Sequence, residues 1–116
     1  MEEYEPKEQD LKSAPPQKSS ITLQQAIDFG EYDLVQLENF AEWHTLSPHI
    51  QWQLVRKALD IRNRQLITQY AELNNALDLR NKPHVKDAMK NVERQLKNLA
   101  KDREQLYVEF SNKMVG

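Results

Sequence analysis

A chain of 116 residues has room for one domain with a modest core, and its 39% hydrophobic and 29% charged residues are compatible with folding. There is no cysteine, which excludes disulfides, thiolate nucleophiles and thiolate metal sites; two isolated glycines exclude glycine-rich phosphate loops and nucleophile elbows. The formal net charge of −2 conceals a division: residues 21–47 hold Asp28, Glu31, Asp33, Glu38 and Glu42 with no lysine or arginine, whereas residues 48–116 hold thirteen basic groups against eight acidic ones.

Residues 1–20 are polar, contain Pro6, Pro15 and Pro16, and show no apolar period. Such a segment buries too little surface to offset the entropy of ordering it, so a flexible acidic tail is expected. Residues 21–116 are expected to form a single helical domain.

The first short helix is expected over residues 22–30. Thr22 with Gln25 three positions on has capping-box spacing, Leu23, Ala26 and Ile27 share a face, and Gly30 provides the stop. Asp33 and Gln36 repeat the device and predict a second helix over 33–43, with Leu34, Leu37, Phe40 and Trp43 at helical steps. Ser47 followed by Pro48 predicts a third start, a capping hydroxyl with proline where no amide is required. No breaker follows before Asn81-Lys82-Pro83, so a helix over 48–80 is expected, about 32 residues or roughly 48 Å long. Pro83 opens the last helix, expected over 83–113.

The last helix repeats Val85, Met89, Val92, Leu96, Leu99, Arg103, Leu106 and Phe110 in steps of four and three, a heptad seam. Its predecessor carries Trp52, Arg56, Leu59, Asn63, Leu66, Tyr70, Leu73 and Leu77 in the same rhythm. A short connection forces the two to run antiparallel, which sets Leu77 beside Val85, Leu73 beside Met89, Tyr70 beside Val92 and Leu66 beside Leu96. Further along, Asn63 meets Leu99 and Leu59 meets Arg103, with Asp60 close enough to pair with that arginine. Ile50, Leu54, Val55, Ala58 and Ile61 widen the apolar stripe near the open end, where Phe29, Phe40, Trp43, Trp52, Tyr107 and Phe110 are also expected. The expected architecture is all-α: a long antiparallel, coiled-coil-like helical hairpin with two short N-terminal helices packed at its open end. Attraction between the acidic segment and the basic hairpin helps to orient it, each surface pair contributing about 0–1 kcal/mol.

Chemistry-bearing groups are sparse. His44 and His49 have a chelating spacing, but Ser47-Pro48 starts a new helix between them, so they do not share one continuous face. His84 stands alone beside Pro83. Asp60, Glu72, Asp78, Asp102 and Glu104 include no Glu-x-x-His pair of the di-metal bundle kind. No catalytic residue, cofactor or metal is therefore expected, and no enzyme activity. No apolar run exceeds Leu106-Tyr107-Val108, too short for a membrane span or signal peptide, so a cytoplasmic protein is expected.

Two surfaces remain as candidates. Ile67, Ala71 and Ala88 lie beside the main seam, and two helices cannot enclose all their apolar faces, so this strip is expected to bind a protein partner or a second copy as a homodimer. Lys86, Lys90, Arg94, Lys97 and Lys101 recur every three or four residues and form a basic stripe able to follow a nucleic-acid backbone. Asp87, Glu93 and Asp102 flank it, and no nucleic-acid-binding motif accompanies it. A non-enzymatic helical interaction or adaptor protein is thus the leading expectation, a nucleic-acid-binding accessory protein the alternative.

Overall fold

The computed structural model describes residues 21–75 and 82–115. In chain order these form α1 (Leu23–Asp28), α2 (Leu34–Leu37), a 3₁₀ helix (Ala41–Thr45), α3 (Pro48–Asn74) and α4 (Pro83–Val115). The fold is all-α: α3 and α4 pack as a hairpin, and the short N-terminal helices pack on α3. The expected tail, the stretch 76–80 of the expected third helix and the Leu77–Val85 contact lie outside the described residues.

Local chemistry places most boundaries. The Thr22 hydroxyl accepts from the Gln25 amide at 3.0 Å while the Gln25 side chain accepts from the Thr22 amide at 2.9 Å, a closed capping box. At the other end of α1, Gly30 takes φ +87°, and the amides of Gly30 and Glu31 reach back to the carbonyls of Ile27 and Ala26. This is the Schellman closure that a left-handed glycine permits. Ser47 caps α3 through the Ile50 amide at 3.3 Å, with Pro48 in the first turn.

The expected helix over 33–43 is not continuous. Asp33 caps α2 through the Val35 amide, and its own amide donates to the Glu31 carboxylate rather than to Gln36. After one turn the chain leaves helical geometry at Phe40 (φ −92°, ψ 123°) and re-enters as a 3₁₀ helix. The reason is packing. Leu37 and Trp43 are both buried, yet six residues along an unbroken helix would set them about 120° apart. Breaking the helix lets both enter one core. His44 Nε2 donates to the Glu38 carbonyl at 2.8 Å, satisfying a group that the break leaves open.

The hairpin register agrees with the heptad reading. Tyr70 donates to Glu93 at 2.9 Å, Arg103 pairs with Asp60 at 2.9 Å, and Trp52 stacks on Phe110 with ring centroids 5.5 Å apart. As residue numbers fall along α3 they rise in step along α4, which only an antiparallel pair in this register allows. On α4 the seam residues Val85, Val92, Leu99 and Phe110 are buried, and Met89, Leu96, Arg103 and Leu106 are half-buried. On α3 the seam is less regular: Leu59 and Leu66 are buried while Arg56 is exposed. That helix is covered on two sides, so its buried set also includes Val55 and Ala58, which belong to one core with Leu23, Ala26, Ile27, Leu37 and Trp43.

Two aromatic residues expected in that core lie outside it. Phe29, at the end of α1, is 62% exposed, and Tyr107 is 57% exposed although its ring centroid lies 6.0 Å from that of Trp52. Nor is Arg103 fully buried: 40% of its side chain meets solvent, and the pair with Asp60 sits at the edge of the seam.

Candidate interaction surface

An antiparallel hairpin has two flanks. Residues just after seam positions on one helix meet those just after seam positions on the other, and residues just before meet likewise. Here the flanks differ sharply.

One flank is partly covered. Arg62 of α3 and Gln95, Asp102 and Glu109 of α4, the last three at intervals of seven, face the connection Gly30–Leu34 across a groove of about 730 Å³. Gly30 packs on Arg62, where an added Cβ would lie in van der Waals contact, 3.4 Å from its backbone nitrogen. Outside the groove, Gln65 Nε2 donates to the Phe29 carbonyl at 3.3 Å, and Lys57, which follows seam residue Arg56, pairs with Asp28 at 3.2 Å. The Tyr32 hydroxyl donates to Asp102 Oδ2 at 2.6 Å. Burial first, then this hydrogen bond and the Asp102 charge, hold the Tyr32 phenol protonated well above the usual tyrosine range. The groove had no signal in the sequence, because Tyr32 lies in the connection between two helices, outside any periodic segment, and meets Asp102 only through the docking of that connection.

The other flank is open among the described residues. Asp60 and Ile67 on α3 lie opposite Glu93, Ala100 and Tyr107 on α4, each set spaced by seven. Ile67 is 52% exposed and Tyr107 57%. Across this flank run the Asp60–Arg103 pair and the Tyr70–Glu93 hydrogen bond. That bond, then desolvation and the Glu93 charge, raises the Tyr70 pKa as well.

The three apolar candidates do not form one strip. Ile67 and Ala71 are exposed one turn apart on the open flank, whereas Ala88 is half-buried and lies seven residues before Gln95, on the groove flank. Ala88 precedes its seam residue and Ile67 follows its own, and an antiparallel pair sends those positions to opposite sides. The five basic candidates do share a face. Lys86, Lys90, Arg94, Lys97 and Lys101 are all exposed along α4 and border the open flank, with Arg94 Nη1 donating to Asn91 at 2.6 Å. Glu93 and Glu104 interrupt the row.

Among the described residues no group of three or more His, Asp or Glu side chains is arranged to hold a metal ion, and no helix is long and apolar enough to cross a membrane. The chain is thus an all-α helical hairpin with one flank dressed by its own N-terminal segment and the other bare among the described residues. Compared with family models, curated proteins and solved structures, it matches none.

Proposed function

We propose that this protein is a non-enzymatic helical interaction module of the cytoplasm that binds protein, including a second copy of itself, through the open flank of its hairpin. The supporting observation is the contrast between the two flanks. Folding covers one with residues 21–47 and leaves Ile67 and Tyr107 more than half exposed on the other. Burying one such side chain contributes about 1.5–3 kcal/mol, which favours association over continued hydration. Sedimentation equilibrium should give a mass near twice 13.7 kDa at high concentration. Ile67→Glu or Ala71→Glu should return it to the monomer, because either buries a charge in the contact. A wild-type chain that stays monomeric into the millimolar range would remove self-association from the reading.

The alternative rests on the basic row of α4. If that row follows a phosphate backbone, DNA or RNA should be retarded at low salt, binding should weaken steeply as salt rises, and Lys90→Glu with Lys97→Glu should abolish it. Absence of any shift at low salt eliminates this reading.

A further inference from the structure

We propose that residues 2–10 of the same chain lie along the outer face of α4, held by Lys90, Arg94, Lys97 and Lys101, so that the protein carries its own occupant for that face. This is independent of the self-association reading and concerns a different surface. The α4 seam recurs at Val92, Leu96, Leu99 and Arg103, and the helical turn sets the four cations on the side opposite it. All four are exposed, and eleven residues of helix spread them over about 16 Å. Between them that side holds only Asn91 and Asn98; Arg94 Nη1 donates to Asn91, a neutral group that cancels no charge. The nearby carboxylates stand around it. Glu93 lies at the edge of the open flank and accepts from Tyr70, Asp60 pairs with Arg103 across that flank, and Asp87 and Glu104 fall before and after the row. Counted over residues 86–101, five basic groups face two acidic ones.

Charge and reach choose the occupant. Residues 1–10 hold Glu2, Glu3, Glu5, Glu8 and Asp10 against Lys7, whereas residues 11–20 hold Lys12 and Lys18 and no acid, so the negative charge is confined to the first ten positions. Other cations of the hairpin suit such a segment less well. Lys57 pairs with Asp28 and Lys113 with Glu109, Arg62 shares its groove with Asp33 and Asp102, and Arg56 and Arg64 stand on either side of Asp60. Because α1 packs on α3 and α3 on α4, the path from Ile21 to the outer face of α4 is on the order of two helix diameters, roughly 20–25 Å. Residues 11–20 span up to about 33 Å when extended, which covers it, and the seven steps from Glu3 to Asp10 then reach along the whole row. A tether this short gives an effective concentration of order millimolar, so a contact too weak to persist between separate molecules is populated within one. An anionic partner of this face, nucleic acid included, has to displace the segment first.

The test exploits the absence of cysteine: Tyr4→Cys in the full chain takes a single nitroxide label and keeps every acidic residue. At low salt the label should broaden the amide signals of residues 90–101 of α4 and leave those around Arg62 and Gln95 in the groove sharp. In 1 M salt, where screening shortens to about 3 Å, the broadening should disappear. Lys90→Gln with Lys97→Gln, both at exposed positions and checked for helicity by circular dichroism, should reduce it at least twofold. Mixing labelled chains with isotope-enriched, unlabelled ones separates the sources. No broadening of the enriched chain supports contact within one molecule, whereas full broadening shows that the segment reaches a second copy and overturns the proposal. Broadening that is absent at low salt, centred on the groove, or unchanged in the lysine variant also overturns it. So does an α4 face that responds to added RNA but never to the label, which assigns the face to nucleic acid.

Discussion

At Gly30 the backbone conformation, rather than lack of space, demands glycine. Its φ of +87° is one that residues with a Cβ adopt at a cost of about 1–2 kcal/mol, whereas the Cβ itself would stand 3.4 Å from the Arg62 nitrogen, an ordinary van der Waals contact. Gly30→Ala should therefore lower unfolding stability by about 1–2 kcal/mol in urea titrations, with little change in helicity. Tyr32 gives a prediction of a different kind. Its folded-state pKa lies above the ordinary 10.0, so the folded protein holds that proton more tightly than the unfolded chain. The resulting stability is fully present below pH 10.0 and is lost as pH rises from there toward the folded-state value. Tyr32→Phe should cost about 1 kcal/mol at neutral pH through the lost hydrogen bond to Asp102. It should also flatten the decline above pH 10.0, compared in urea titrations on both sides of that pH. If both proteins decline in parallel, the phenol does not carry the effect. Tyr70 is shifted in the same direction through Glu93, so the double variant Tyr32→Phe with Tyr70→Phe should be flatter still.

Among the elements, those with a strong period or cap were legible from sequence and those shaped by tertiary demand were not. The α4 seam reads directly, because that helix packs along one side and its apolar residues keep to one stripe. Thr22, Ser47-Pro48 and Gly30 mark helix ends because each solves a local hydrogen-bond or dihedral problem. The break at Phe40 escaped because Leu34, Leu37 and Phe40 do follow a helical step; only the need to bury Leu37 and Trp43 together ends the helix early. The groove flank escaped for the same kind of reason, and so did the separation of Ala88 from Ile67, which depends on the direction of the partner helix and not on distance along the chain. The short N-terminal elements should nevertheless be part of one cooperative structure, since Leu37 is fully buried against residues of α3. Leu37→Ala should destabilise the whole protein by about 2–5 kcal/mol, whereas Val35→Ala, two residues away and 67% exposed, should stay within about 0.5 kcal/mol. Equal effects at the two positions would mean that α2 does not dock as described.

For the whole molecule, the thickness of the core varies along the hairpin. At the open end α3 is enclosed by α4 on one side and by the N-terminal elements on another, and Ile27, Leu37, Val55, Leu59 and Phe110 are fully buried there. Toward Asn74 and Pro83 the hairpin is two helices thick, and burial at those levels falls to Leu66, Val85 and Val92 with Tyr70, Leu73 and Met89 half-covered. A region with fewer buried apolar contacts opens at lower free energy than one enclosed on several sides. Native-state hydrogen exchange should therefore show a gradient along both long helices, with amides of 52–62 and 99–110 protected longest and those of 66–74 and 85–92 exchanging earlier. The gradient also separates local opening from association through the open flank. Self-association would slow exchange in a concentration-dependent way at Ile67, Ala71 and Ala100, while local opening toward the hairpin tip would be independent of concentration. Uniform protection along α4 would mean that the far half of the hairpin has a cover not found among the described residues, and the bare flank would then have to be sought elsewhere on the molecule.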